Sequence, residues 1–233
     1  MKTYLPMLSA SFLALFSAAP AADFTSTYVG GTRDWNLGTS WTTPGAPGTF
    51  PINGSPSPTY DAIQNSGVLT VNVPIAIQKF NLVGGTLQGA QTLTLGDVLT
   101  MENGTITGAG VIQASGGMTL STGNTKTFTG GRTINLAGGS TWSAGTINAG
   151  DGAVFNNAGT FTATNNNTFF QNGIGGAEAQ FNNTGTFIKD VGTATTLFSG
   201  NVGWGNARFN NSGMVEVRTG TLALDGTGTH AAG

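Results

Sequence analysis

Ten carboxylates and one histidine, with no cysteine at all, are the chain's stock of reactive side chains. The acids are Asp23, Asp34, Asp61, Asp97, Glu102, Asp151, Glu178, Asp190, Glu216 and Asp225. Carboxylates cleave glycosidic or uronic linkages when a fold brings two or three of them to one face, often beside Arg or Lys. Asp97 and Glu102 are close enough to share one edge. An internal repeat argues against a catalytic pair there: shifted by 41 residues, Asp97 falls on Gly138 and Glu102 on Ser143, so neither continues as an acidic column. No catalytic residue is expected. His230 has neither a nucleophile nor further ligands in its neighbourhood, which removes the triad and zinc readings. Gly108-Ala109-Gly110 lacks the helix and lysine of a phosphate loop, and Asp151-Gly152 and Asp225-Gly226 are isolated turns rather than calcium-binding nonapeptides. The expectation is no metal and no cofactor. Four tryptophans offer flat faces for sugar stacking. Trp142 occupies a core position by the repeat, and Trp35 and Trp41 are expected to seal the N-terminal end. Trp204, in Gly203-Trp204-Gly205, is the one candidate ligand-binding residue.

The background to these residues is nearly uncharged. Charged side chains make up 8% of the chain and the net charge is −2, with eight basic residues scattered throughout. That excludes the phosphate-tracking patch of a nucleic-acid binder. Lys2, an apolar run over residues 5–16 and Ala19-Pro20-Ala21 have the order of a secretory signal, so residues 1–22 are expected to be removed on export. No later apolar run reaches spanning length, so the mature chain should contain no transmembrane helix. An exported chain without cysteine must be held together by something other than disulfides.

Strands must then position whatever the chain presents. All eight prolines lie at or before Pro74, five of them between Pro44 and Pro58. Proline withholds an N–H from a sheet ladder, so the proline-free remainder, rich in Thr, Val, Ile and Phe, suits stacked strands. The expected division is an irregular Trp- and Pro-rich leader over 23–64 and a repeat body over 65–233. Leu93-Thr94-Leu95 recurs as Ile134-Asn135-Leu136, Met101 as Trp142 and Gly104-Thr105-Ile106 as Gly145-Thr146-Ile147, each after 41 residues, or two coils of about 20. A sharper unit follows: Phe155-Asn156-Asn157-Ala158-Gly159-Thr160-Phe161, then Phe181 to Phe187 and Phe209 to Val215 in the same pattern. Each unit reads as short strand, turn, short strand. No segment after the signal has a helical period, and strands this short need neighbours. The expected fold is all-β, a right-handed parallel β-helix, or β-solenoid, with inward apolar columns.

Within it, Asn156, Asn157, Asn182, Asn183, Asn210 and Asn211 are expected to stack as a structural amide ladder. The glycine four residues after each Phe is expected to supply a positive φ at the corner. Alternation from Phe187 would send Lys189 inward at a cost, so the strand is expected to turn before it. Asp190 and Arg218 should pair across neighbouring coils.

The Phe-Asn-Asn-x-Gly-Thr-Phe units, with Val215-Glu216-Val217-Arg218-Thr219-Gly220-Thr221-Leu222-Ala223-Leu224 after the last, resemble repeats of large bacterial surface proteins: autotransporter passenger-like and haemagglutinin-like adhesins. Asp34-Trp35-Asn36, Ser40-Trp41, the Pro-Gly stretch, Asp61 and Leu69-Thr70-Val71 resemble the opening of autotransporter-associated β-strand proteins. The resemblance implies a non-enzymatic stalk or adhesin-like scaffold at the cell surface, with host or matrix glycans or proteins as partners. The chain is then the N-terminal part of a longer protein, truncated at its C-terminus. It departs from the secretion pattern of the haemagglutinin-like group, since Gln171-Asn172-Gly173-Ile174 echoes that motif only in mid-body. The alternative is a β-helix that binds or cleaves polysaccharide, as a lyase or glycoside hydrolase.

Overall fold

A computed structural model describes residues 22–54, 58–171, 173–201 and 205–231. All but Ala22 of the expected signal segment lies outside them, and so does Trp204. Among the described residues the regular structure is almost wholly β-strand, with one 3-10 turn at Gly38–Ser40 and no α-helix. No described helix is long and apolar enough to cross a membrane.

Three parallel sheets run the length of a β-solenoid, and each complete coil contributes one strand to each sheet. Coil 1 is Tyr60–Gln64, Val68–Thr70 and Ile75–Ile77, and coil 4 is Met118–Leu120, Lys126–Phe128 and Thr133–Leu136. The seven strands of the third sheet mark seven complete coils among the described residues. Partial coils flank them, Phe24–Tyr28 with Thr32–Asp34 below and Met214–Val217 with Thr221–Leu224 above. Three strands per coil, not two, enclose the core. Each Phe-Asn-Asn-x-Gly-Thr-Phe unit is the corner at which the third sheet hands over to the first. Phe155, Phe181 and Phe209 stand in register on one sheet, with Phe161, Phe187 and Val215 on the other.

The 41-residue repeat is two coils in the first and third sheets. Leu93 lies under Ile112 and that under Ile134; Met101 lies under Leu120 and that under Trp142. In the second sheet it slips by two, because Gly104 sits under Lys126 and Lys126 under Ile147. The corners that lead into Lys126 and Ile147 carry extra residues. An even slip preserves which face is inward, and Ile106 and Ile147 are both buried.

The stack begins at Phe24 rather than near residue 65. The first sheet pairs Phe24–Tyr28 with Tyr60–Gln64 and the second pairs Thr32–Asp34 with Val68–Thr70, so a partial coil precedes the first complete one. Pro44, Pro47, Pro51 and Pro58 fall between the strands Trp41–Thr42 and Tyr60–Gln64. Trp41–Thr42 folds back antiparallel on Phe24–Tyr28 and blunts the sheet edge. Trp35 and Trp41 are buried there, ring centroids 4.8 Å apart, with Trp35 5.6 Å from Phe80. Their indole N–H groups donate to the Pro51 and Trp35 carbonyls. Trp142 is fully buried in the Met101 column. From Phe128 upward the core is a continuous aromatic stack through Phe155, Phe169, Phe181, Phe187, Phe198 and Phe209, with successive centroids about 5–6 Å apart.

The corner glycines Gly159, Gly185 and Gly213 do not adopt positive φ. They are needed for close approach instead. A Cβ on Gly185 would lie 2.6 Å from the Ala158 carbonyl oxygen and closer still to that of Gly159, and a Cβ on Gly213 would meet the same corner one coil below. Stacking at this corner therefore leaves no room for a side chain.

Candidate functional site

The Asn-Asn pairs form two ladders of opposite sense. In the outer one, Asn156 Nδ2 donates to Asn135 Oδ1 (2.7 Å), Asn182 to Asn156 (2.9 Å) and Asn210 to Asn182 (2.8 Å), each toward the preceding coil. In the inner one, Asn157 donates to Asn183 and Asn183 to Asn211, both at 2.7 Å, toward the following coil. Alternation along each strand decides this split, since adjacent residues point to opposite faces. Asn157 and Asn183 are buried, and their second N–H groups satisfy the carbonyls of Thr186 and Met214. Asn157 Oδ1 has no hydrogen-bond partner among the described residues, because the coil beneath supplies Leu136 at that place. The outer row includes Gln113 and Asn135 as well, in register with Asn156, Asn182 and Asn210. One N–H of each of the last three amides is engaged along the row. Asn210 Oδ1 accepts from the Thr229 N–H and hydroxyl, while on Asn156 and Asn182 the row bonds use one N–H and one carbonyl lone pair of the two that each amide has.

Lys189 does not lie beyond its strand. It is the last residue of Thr186–Lys189, points inward and is fully buried. Its column holds Gln64, Leu82, Met101, Leu120, Trp142 and Ala163. The column explains how the charge is tolerated. Gln64 Nε2 donates to the Gly67 carbonyl and Trp142 Nε1 to that of Gly145, and Lys189 Nζ likewise donates to the carbonyls of Asn165 and Val191, both at 2.7 Å, and to Asn166 Oδ1. This position caps the carbonyls of the first corner, and Ala163 below leaves space for the long stem.

Two further cations are buried without a carboxylate in hydrogen-bond contact among the described residues. Lys126 Nζ donates to the carbonyls of Thr122 (2.6 Å), Asn124 (3.0 Å) and Ala144 (3.1 Å), and burial lowers its pKa to about 8. Thr122 itself holds φ at 67°, a strained setting for a β-branched residue that turns its carbonyl to the ammonium. Arg132 reaches back two coils to the Gly89 carbonyl (2.9 Å) and also donates to that of Thr107. Gly110 leaves the space for this guanidinium, since a Cβ there would lie 2.6 Å from Arg132 Nη1. Burial draws the Arg132 pKa down to about 10, which leaves it charged at neutral pH. Lys189 is likewise held below the ordinary lysine value by burial, against the opposing pull of Asp190.

One group of charged side chains gathers near the N-terminal end of the first sheet. Asp61 is in register with Lys79, and Lys79 Nζ is 3.4 Å from Asp97 Oδ2. Burial raises the Asp61 carboxyl above the usual range; Lys79 opposes this and Asp97 adds to it. Asn81 donates to Glu102 on the same sheet. A cleft of about 320 Å³ is lined by Asp61, Lys79, Asn81 and Thr100 among others. Reading the sequence for an Asp97–Glu102 pair missed Asp61 and Lys79, which join Asp97 only once the coils are stacked. Asp190 pairs with Arg218 at 3.3 Å, and Arg218 also holds Glu216. His230 bridges to Asn211 and lies over Phe209 at 6.2 Å. Among the described residues no group of three or more His, Cys, Asp or Glu side chains is placed to hold a metal ion.

Comparison with protein-family models, with curated proteins and with solved structures gives no match for this chain.

Proposed function

We propose that this chain is an extracellular scaffold without enzymatic activity, a β-solenoid stalk or adhesin-like display element of an autotransporter-like surface protein. One observation carries the reading: the polar groups that the coil interior holds are used to bind coil to coil. The inner amides bond along the axis, and the three buried cations satisfy corner carbonyls from one or more coils. Such bonds stiffen a rod, because each coil contacts only its neighbours and stability accumulates along the stack. An export signal at 1–22 and partners among host or matrix glycans and proteins belong to the same proposal.

The second reading, a polysaccharide-cleaving β-helix, draws on the Asp61–Lys79–Asp97 group and its cleft. A single pair of assays separates the two. The purified chain is offered to matrix-coated surfaces and cultured cells, and is incubated with polygalacturonate, alginate and neutral glycans while chain length is followed. Saturable adhesion with no shortening of any polymer supports the scaffold. Depolymerisation that is lost in Asp61→Asn overturns it.

A further inference from the structure

We infer that the outer amide row is a binding track for an uncharged, linear glycan that lies along the solenoid axis. The inference rests on the adhesin-like reading and names the class of ligand for it.

The row consists of Gln113, Asn135, Asn156, Asn182 and Asn210, one amide per coil on the outer face of the third sheet. Parallel strands place successive amides about 4.8 Å apart. That step is comparable to the length of one sugar unit in an extended chain, so each coil can address one unit. Two clefts follow the row end to end. One, of about 250 Å³, runs past Gln113, Asn135 and Asn156; the next, of about 440 Å³, begins at Asn182 and runs past Asn210 to His230.

The chemistry of the lining selects the ligand. Neither cleft is lined by Asp, Glu, Lys or Arg, and His230 is the one titratable side chain in either. A charged polymer would find no countercharge there. The second N–H and remaining carbonyl lone pair of Asn156 and Asn182 match the paired donor and acceptor character of sugar hydroxyls, whereas Asn210 offers its N–H alone because Thr229 holds its Oδ1. Ala137 and Ala158, exposed on the corner beside the row, give apolar contact for the C–H face of a ring. Hydrogen bonds from Asn156, Asn182 and Asn210 along the row fix the amide orientations before any ligand arrives. Little side-chain freedom is then lost on binding.

The test measures binding of neutral β-linked gluco-, manno- and xylo-oligosaccharides of increasing length by calorimetry, with oligogalacturonate as the charged comparison. Affinity for a neutral series should rise with length until the oligomer spans the row and then level off. Ala158→Glu puts a charge on the cleft rim without touching an amide, and should weaken binding roughly tenfold or more. Thr141→Glu, at an exposed position on the first sheet, should leave both binding and thermal midpoint unchanged. The track is refuted if no neutral oligosaccharide binds saturably, or if Ala158→Glu binds as the unmodified chain does while keeping its thermal midpoint. Cell adhesion that persists undiminished in excess neutral oligosaccharide would refute the track and leave the scaffold reading standing. Shortening of a bound glycan would instead overturn the non-enzymatic reading.

Discussion

Adding one methyl group at Gly185 tests the account of the corner directly. Gly185 sits between Gly159 below and Gly213 above, at the handover from the third sheet to the first. Its backbone lies outside the positive-φ region, so alanine meets no intrinsic conformational penalty. The new Cβ would instead lie 2.6 Å from the Ala158 oxygen and 2.7 Å from its carbonyl carbon. Both contacts are to backbone, which hydrogen bonds hold: Thr186 N–H donates to Gly159 O at 2.9 Å, and Thr184 and Gly185 N–H both donate to Asn157 O. Overpacking of this kind costs about 1–3 kcal/mol, and the rigid neighbour places Gly185→Ala near the upper end. The lower entropy of the unfolded chain returns about 0.4–1 kcal/mol, which leaves a net loss of about 2 kcal/mol. In guanidinium unfolding followed by far-UV circular dichroism, a slope of about 4 kcal/mol/M turns this into a midpoint lowered by roughly 0.5 M. Gly139→Ala is the matched control. No atom lies within 4 Å of its built Cβ and its φ is not positive, so it should be neutral or stabilising by up to about 1 kcal/mol. Gly185→Asn separates the two explanations, because asparagine tolerates positive φ and would be accepted if conformation were the requirement. Gly185→Ala within about 0.5 kcal/mol of the unmodified chain, or Gly185→Asn better than Gly185→Ala, would refute the close-approach argument.

Three other outcomes follow from the interior polar groups and the N-terminal end. Lys126 has a pKa near 8 in the fold against an ordinary 10.5, so the unfolded chain binds more protons between these values and stability should rise as pH goes from 8 to 10.5. The gain is at most about 3 kcal/mol, and denaturant titrations across that range should show it in the unmodified chain but not in Lys126→Met. Asn183→Ala breaks a ladder bond on either side and Asn157→Ala breaks one, while each removes a donor from one carbonyl, Met214 O or Thr186 O, so the first should cost about 1 kcal/mol more in equilibrium unfolding. Trp35→Ala removes a fully buried indole from the N-terminal end and should cost about 3–5 kcal/mol, read as a lower thermal midpoint with loss of near-ultraviolet dichroism.

The repeats are enough to show that the chain stacks in parallel coils and which residues share a column. Phe155, Phe181 and Phe209 repeat because each must fill the same inward place, and Asn156, Asn182 and Asn210 repeat because an amide is best satisfied by its like one coil away. Such columns are legible without coordinates, since one residue type at a fixed offset records one contact. The burial of Trp142 and the Asp190–Arg218 pair were readable in the same way. What lay between the columns was not readable. A coil of three strands and a coil of two give the same repeat length, and only the pairing pattern tells them apart. Lys189 continues an apolar alternation, so its cost was visible, but the carbonyls of Asn165 and Val191 that offset it come from the first corner of the coil beneath and of its own coil. Asp61, Lys79 and Asp97 stand 18 residues apart but differ in type and sign, so no repeated residue marked the place where stacking brings them together. The corner glycines make the distinction sharpest. Glycine signals that a side chain is not tolerated, and the physical reason, a neighbouring carbonyl oxygen rather than a left-handed backbone, is a distance between coils that tertiary structure alone decided.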